Sequence, residues 1–208
     1  HTPFLRELPE EHRVCLRAAA RYMKGEDAKK FASAAEETDP AYPILHEICD
    51  DAESRLGATA AFTMIQGGTS ANVLPEKAVL TMNVRVPAAQ PEKVVTKILE
   101  EKAKQYDLSI KLCSGRDASA VTSVEGWAYR LTEEVLNQVF PGMPVIPFVL
   151  GGGTDSRHFL EIAEEAVRFS PIYIHKEQGS GVHGKNERID VNSLYESVRY
   201  YEQLLKKL

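Results

Sequence analysis

The chain has 208 residues, of which 43% are hydrophobic and 26% charged, and a formal net charge of −5. This is the composition of a soluble globular protein with apolar material for one large domain or two small ones. The negative balance excludes a general affinity for nucleic acid or anionic membranes, and no apolar run approaches the roughly 20 residues that a spanning helix needs.

The opening "HTPFLRELPEEHR" has no basic-then-apolar export pattern. Residues 4–56 read as helical. In "EEHRVCLRAAARYM" the positions Val14, Leu16, Ala18, Ala19 and Tyr22 fall near helical spacing, and Gly25 is a plausible stop. "EDAKKFASAAE" reads as a short second helix. "YPILHEICDDAESRL" reads as a third, with Ile44, Leu45, Ile48 and Leu56 apolar.

From residue 58 the period changes. "ATAAFTMIQ" is rich in strand formers, and after the break "GGTSANVLPEK" comes "AVLTMNVRV". There Val79, Thr81, Asn83 and Arg85 alternate with Leu80, Met82, Val84 and Val86, as in a strand with one covered face. "PEKVVTKILEEKAKQY" predicts a helix with Val94, Ile98 and Ala103 on its apolar side, and "LSIKLCS" predicts a third strand. Strand–strand–helix–strand is most of a ferredoxin-like unit. "GRDASAVTS" reads as a linker. Beyond it the sequence predicts a helix at "GWAYRLTEEVLNQVF", a strand at "VIPFVL", the turn "GGGTDSRHF" and a buried strand at "AVRFSPIYI". A polar loop, "HKEQGSGVHGKNERI", leads to a final helix capped by Asp190 or Asn192, with Leu194, Val198, Tyr201, Leu204 and Leu205 apolar. The alternation of helix and strand indicates an α/β layer.

Three segments carry candidate chemistry. The glycines of "GGGTDSRHF" allow close backbone approach to a ligand, yet Walker spacing and GxGxxG are both absent. Local reading leaves two alternatives: a tight turn capped by Thr154 or Asp155, or a site where Thr154 and Arg157 hold a carboxylate or oxyanion. Asn72 in the hairpin loop and Arg85, 13 positions later, either form a carboxylate-binding pair or are an ordinary turn asparagine and solvated arginine. In "VHGKNERI", His183 is followed by a glycine, with Asn186 and Glu187 placed to orient it. His12, His46 and His175 read as surface residues, and His158 as covering a helix face. No HxxxH, HExxH or HxD supplies partners for a metal. Cys15, Cys49 and Cys113 are odd in number and lack CxxC spacing, so buried free thiols in a reducing cytoplasm are expected.

Taken in order, "GGTSANVLPEKAVLTMNVRVP", "GGGTDSRHF" and "VHGKNERI" resemble one family. It is the dizinc metallopeptidases that include carboxypeptidase S, N-acyl-amino-acid acylases, carnosinase and succinyl-diaminopimelate desuccinylase. The resemblance runs from about residue 58 to 208, and the helical stretch before it is most like the insertion of carboxypeptidase S-type members. It implies an α+β and α/β chain in three parts: a helical insertion of the lid at 1–57, a partial ferredoxin-like lid, or dimerisation, domain at 58–115, and the C-terminal part of an α/β zinc-peptidase catalytic domain at 116–208.

The same resemblance implies that His183 is a zinc ligand of a two-zinc site. Asn72, Arg85, Gly153, Thr154 and Arg157 would contact the substrate. The substrate would be a small dipeptide or N-acyl amino acid with a free carboxylate, and the enzyme a homodimer through the lid. Neither nucleic acid nor membrane is an expected partner, and a cytoplasmic location is expected. The family's HxD, bridging aspartate, Glu-Glu pair and lid histidine have no counterparts in the sequence. The expectation is therefore a C-terminal portion that is inactive alone. Two rivals remain, a non-catalytic dimerisation or ligand-binding module and a glycine-loop phosphate binder.

Overall fold

The computed structural model describes residues 3–179, 181, 182 and 184–208. The chain divides into two compact units, His1–Val121 with Gly151–Gly153, and Thr122–Leu150 with Thr154–Leu208.

The first unit begins with four helices: α1 (Glu10–Tyr22), α2 (Gly25–Ala35), α3 (Pro43–Ile48) and α4 (Ala52–Leu56). Glu10 and Glu11 in the first turn of α1 and Arg21 in its last complement the helix dipole. Its buried stripe is His12, Leu16 and Ala19, a four-then-three spacing. Two expectations are corrected here: His12 is a core residue, and Tyr22 is half exposed. Leu8, Leu16, Ala34, Ala35, Tyr42, Leu45, Ala52 and Leu56 form one apolar cluster.

Two charged side chains satisfy the backbone inside this bundle. Arg13 donates to the carbonyls of Leu8 (3.2 Å), Ala35 (2.5 Å) and Glu37 (3.1 Å), closing the end of α2. The buried Glu37 carboxylate accepts the Ile44 and Leu45 N–H groups at 3.0 and 3.1 Å, so it caps α3 from outside the helix. The single helix expected over 42–56 is two. Asp50 and Asp51 interrupt it, since aspartate side chains compete for backbone groups and favour helix starts over interiors.

Next come β1 (Thr59–Gly67) and β2 (Ala78–Arg85), paired antiparallel from Thr59↔Arg85 to Gly67↔Ala78 with a bulge at Thr63. Helix α5 (Glu92–Lys104) packs on one face. Phe4, Ala58 and Val95 are buried there, with Val84, Val86, Ile98 and Leu99 against them. Of the two alternating sets in β2, Val84 and Val86 thus lie on the covered face as expected, while on α5 Val95 takes the place expected for Val94, which is half exposed.

Gln90 ties the two clusters. Its Nε2 donates to the Leu5 carbonyl at 2.7 Å and its Oε1 accepts the Ala58 N–H at 3.2 Å. Gly57 lies against the same carbonyl, and a Cβ there would fall 2.3 Å from Leu5 O. The third strand expected at "LSIKLCS" is absent from the described ladder, which has two strands. Leu108, Ile110 and Leu112 alternate correctly but stay exposed, because a strand forms only where a neighbour supplies backbone partners.

The second unit holds α6 (Trp127–Val139), the single turns α7 (Ser156–Phe159) and α8 (Lys176–Gly179), and α9 (Val191–Leu205). The α6 N-terminus is capped at long range: Glu165 Oε2 accepts the Ala128 N–H at 2.8 Å. Helix α9 is capped by its own Asp190, which accepts the Asn192 N–H at 2.8 Å. Its buried residues are Ser193, Ser197 and Tyr200, with the Tyr200 ring edge-on to Phe169 at 5.4 Å. Ser193 Oγ donates to Tyr173 O at 3.0 Å, and Ser197 Oγ to Pro171 O at 2.6 Å.

Three expectations are corrected in this unit and its neighbour. Leu194, Val198, Tyr201 and Leu205 lie on the exposed side of α9. The segments "VIPFVL" and "AVRFSPIYI" are not strands among the described residues, again for want of a paired neighbour. The cysteines are not buried, since Cys15 and Cys49 are half-buried and Cys113 is exposed. No helix among the described residues is long and apolar enough to cross a membrane.

Candidate substrate-binding and metal-ligating residues

The glycine turn is where the expected residues can be placed most fully. In the first unit, Arg85 Nη1 donates to the Gly151 carbonyl at 3.4 Å, a long bond. Arg116 Nη2 lies 3.7 Å from where a Cβ on Gly153 would stand. Two guanidinium groups therefore meet a backbone that carries no side chains. In the second unit, Thr154 Oγ1 and Ser156 Oγ are 2.6 Å apart. The Arg157 N–H donates to Thr154 O at 3.3 Å, and the Arg157 side chain is half-buried. Asp155 occupies the N-cap position of α7 without a side-chain cap. A one-turn helix has little dipole to offer an anion.

Asn72 and Arg85 are not brought together along the hairpin. Arg85 pairs with Thr59 at the end of the ladder remote from the loop that carries Asn72. The seven steps from Ala78 to Arg85 amount to about 23 Å at the usual strand rise. The reasoning that a hairpin would juxtapose them fails because the loop closes at Gly67↔Ala78, which leaves the whole of β2 between the two side chains. Asn72 is exposed, and its Oδ1 accepts the Ser70 hydroxyl at 2.6 Å.

His183, the expected zinc ligand, lies outside the described residues. Beside it, the Gly184 N–H donates to Gly181 O at 2.8 Å, and Asn186 adopts a left-handed conformation with φ 61, which asparagine tolerates well. Elsewhere His46 lies 3.2 Å from Glu53 and 3.3 Å from Arg6, and His175 stands edge-on to Tyr173 at 4.6 Å. Among the described residues no group of three or more His, Cys, Asp or Glu side chains is arranged to hold a metal ion. These residues do not by themselves fit a resident metal.

A family model described as "Peptidase family M20/M25/M40" matches residues 14–207. The chain belongs to this family.

Relatives of this M20-family chain include the N-fatty-acyl-amino acid synthase/hydrolase PM20D1 of Xenopus tropicalis. That protein is 32% identical over 168 residues, covering 79% of this chain and 33% of that protein. The probable carboxypeptidase S-like 2 of Dictyostelium discoideum is 26% identical over 149 residues, covering 71% of this chain and 29% of its own length. The M20 chain thus spans about a third of the length of the curated relatives it matches. Among solved structures, the M20 family metallo-carboxypeptidase Sso-CP2 from Sulfolobus solfataricus superposes with a TM-score of 0.63. It is 20% identical, and the match covers 97% of this chain and 46% of that one, which establishes a shared fold of mixed helix and strand.

One residue of interest escaped the sequence reading. Arg116 falls in "GRDASAVTS", a stretch that reads as a linker from its small polar residues. No signal was available to find it, since nothing in the spacing ties position 116 to position 153.

Proposed function

We propose that this M20-family chain is the C-terminal portion of a zinc-dependent amidohydrolase that cleaves the amide bond of N-acyl amino acids or dipeptides bearing a free carboxylate. The observation that carries the reading is the family match across 14–207 together with Arg85 placed on the Gly151–Gly153 turn. A relative named as an N-fatty-acyl-amino acid synthase/hydrolase supports the N-acyl amino acid class.

In this reading Arg85, Gly153, Thr154 and Arg157 are each substrate contacts, as the family resemblance implies, since cationic and hydroxyl donors suit a carboxylate or a developing oxyanion. Asn72 contacts the substrate from the far end of the hairpin, as part of the lid. Zinc would supply Lewis acidity and an activated water in such an enzyme. His183 would be this chain's ligand, the others lying outside it, so the 208 residues alone are inactive. The hairpin, whose residues Phe62, Met64, Ile65 and Leu80 are exposed, would serve as a dimerisation surface.

The test is metal content and turnover measured side by side. The 208-residue chain should not hydrolyse N-acyl amino acids with added zinc, and turnover would refute its status as an incomplete portion. In the parent polypeptide, His183→Ala should lower bound zinc below two per chain; unchanged zinc would remove His183 from the site.

A further inference from the structure

Arg116 is held in place by the residues on either side of it. Asp117 Oδ1 accepts the Glu92 N–H at 2.6 Å, at the first residue of α5. On the other side, a Cβ on Gly115 would stand 3.1 Å from the Glu92 side chain, so the backbone there lies close against the same helix start. A segment that reads as a linker is therefore anchored at both neighbours of the arginine. The two acids of this anchor are already engaged, since Asp117 serves α5 and Glu92 Oε1 accepts the Thr96 hydroxyl at 2.5 Å.

From that anchor the guanidinium reaches the glycine turn, with Nη2 3.7 Å from the Cβ position of Gly153. Arg85 reaches the same turn two residues earlier, at Gly151 O. All of these residues belong to the first unit. Cβ positions on Gly151 and Gly152 would face open space. Carboxylates are plentiful in a chain with 30 acidic and 25 basic side chains, and Arg6, Arg17, Arg55 and Arg130 are each paired with one. Arg85 and Arg116 are in no ion pair among the described residues. Two like charges drawn to one short turn repel each other, and a ligand with two carboxylates is the chemistry that offsets this.

We propose that Arg116 is a specificity residue that receives the side-chain carboxylate of an N-acyl glutamate or aspartate, while Arg85 holds the α-carboxylate. This rests on the reading of Arg85 as a substrate contact in an N-acyl amino acid hydrolase. The turn is of the right size for such a substrate. Gly151 and Gly153 are two Cα steps apart, at most about 7.6 Å. The two carboxylates of an extended glutamate are about 5 Å apart, from four bonds of about 1.5 Å. A substrate with a neutral side chain leaves the Arg116 charge unanswered and gains nothing from it.

Two experiments test this. In the first, the 208-residue chain is titrated at constant ionic strength with glutarate, which carries two carboxylates, and with butyrate, which carries one. Glutarate should raise Tm by about 2 °C or more, and butyrate should not. Arg116→Gln should abolish the glutarate shift and leave the Tm of the ligand-free chain within about 1 °C, since Arg116 is exposed. Equal shifts from both acids, or a glutarate shift that the variant keeps, overturn the proposal.

In the second, the parent enzyme is assayed with N-acetylglutamate and its uncharged isostere N-acetylglutamine. Arg116→Gln should lower kcat/KM for N-acetylglutamate about tenfold or more, chiefly through KM, and leave that for N-acetylglutamine within about twofold. An unchanged ratio between the two substrates overturns the proposal. So does an effect confined to N-succinylalanine, whose second carboxylate lies on the acyl side. The two ideas fail separately. A parent that hydrolyses N-acetylglutamine and shows no Arg116 effect defeats the dicarboxylate site alone. A parent that hydrolyses neither substrate, when the glutarate shift is present and lost in the variant, defeats the enzyme reading alone.

Discussion

The Arg85 guanidinium reaches the Gly151 carbonyl across 66 positions of sequence, Nη1 to O at 3.4 Å. An exposed bond of this length adds little to stability. What it does is hold a planar cationic fork over a backbone that has no side chains to obstruct a ligand. Under the proposed function the side chain serves binding more than folding.

Arg85→Gln should accordingly change the urea midpoint of the 208-residue chain by an amount equivalent to less than about 0.5 kcal/mol. In the parent enzyme it should raise KM for an N-acyl amino acid at least tenfold while lowering kcat less, and Arg85→Lys should recover only part of the loss. An unchanged KM would remove Arg85 from the substrate site.

A second prediction concerns the remote cap on α6. A Cβ on Gly126 would lie 2.0 Å from Glu165 Oε1, so Gly126→Ala must displace the carboxylate that accepts the Ala128 N–H. The expected cost is about 1–2 kcal/mol, the range for losing a helix N-cap. Glu165→Ala should cost a similar amount, and the double variant little more than either alone, because the two changes remove one interaction. Denaturant unfolding measures all three, and additive losses would show that the cap is not shared.

The third concerns pH. His12 is 8% exposed and its Nδ1 has no hydrogen-bond partner. Burial, and then the positive charge of Arg55, hold its pKa below the ordinary 6.5, with Glu11 and Asp51 opposing. In the unfolded chain His12 takes up a proton as pH falls through about 6.5, while in the folded chain it resists. Stability should therefore be unaffected by this residue above that value and decline as pH drops below it, until the lower folded pKa is reached. His12→Gln should flatten that part of the stability profile. An identical acid-side slope in the variant would assign the loss to other groups.

Sequence periodicity conveyed the helices well. The first turn of α1, the whole of α5 and α6, and the Asp190 cap of α9 all follow from local patterns that a short window contains. It failed at 108–114, 145–150 and 166–174 because a strand depends on a partner, and alternation in one segment cannot tell whether that partner is in the chain. It also misjudged which stripe of α9 is inward. Serine hydroxyls that bond carbonyls at 171 and 173 outrank the more apolar side here, and residue type alone does not reveal such partners. At the candidate site the glycine turn was visible from composition. The nearness of Arg85 and Arg116 to it, and the separation of Asn72 from Arg85, depend on register and on long-range packing.

The way Gln90 joins Leu5 to Ala58 has a consequence for how this chain was assembled. With Glu7 N also donating to Leu56 O at 2.8 Å, the two ends of the four-helix excursion are tied together at its base, and the excursion has an apolar cluster of its own. Closing a long excursion at its base costs only slightly more than closing a short one. An excursion tied at its base can change length at a small closure cost to the hairpin below it. A short bridge between Leu5 and Ala58 is all that the remaining scaffold would require.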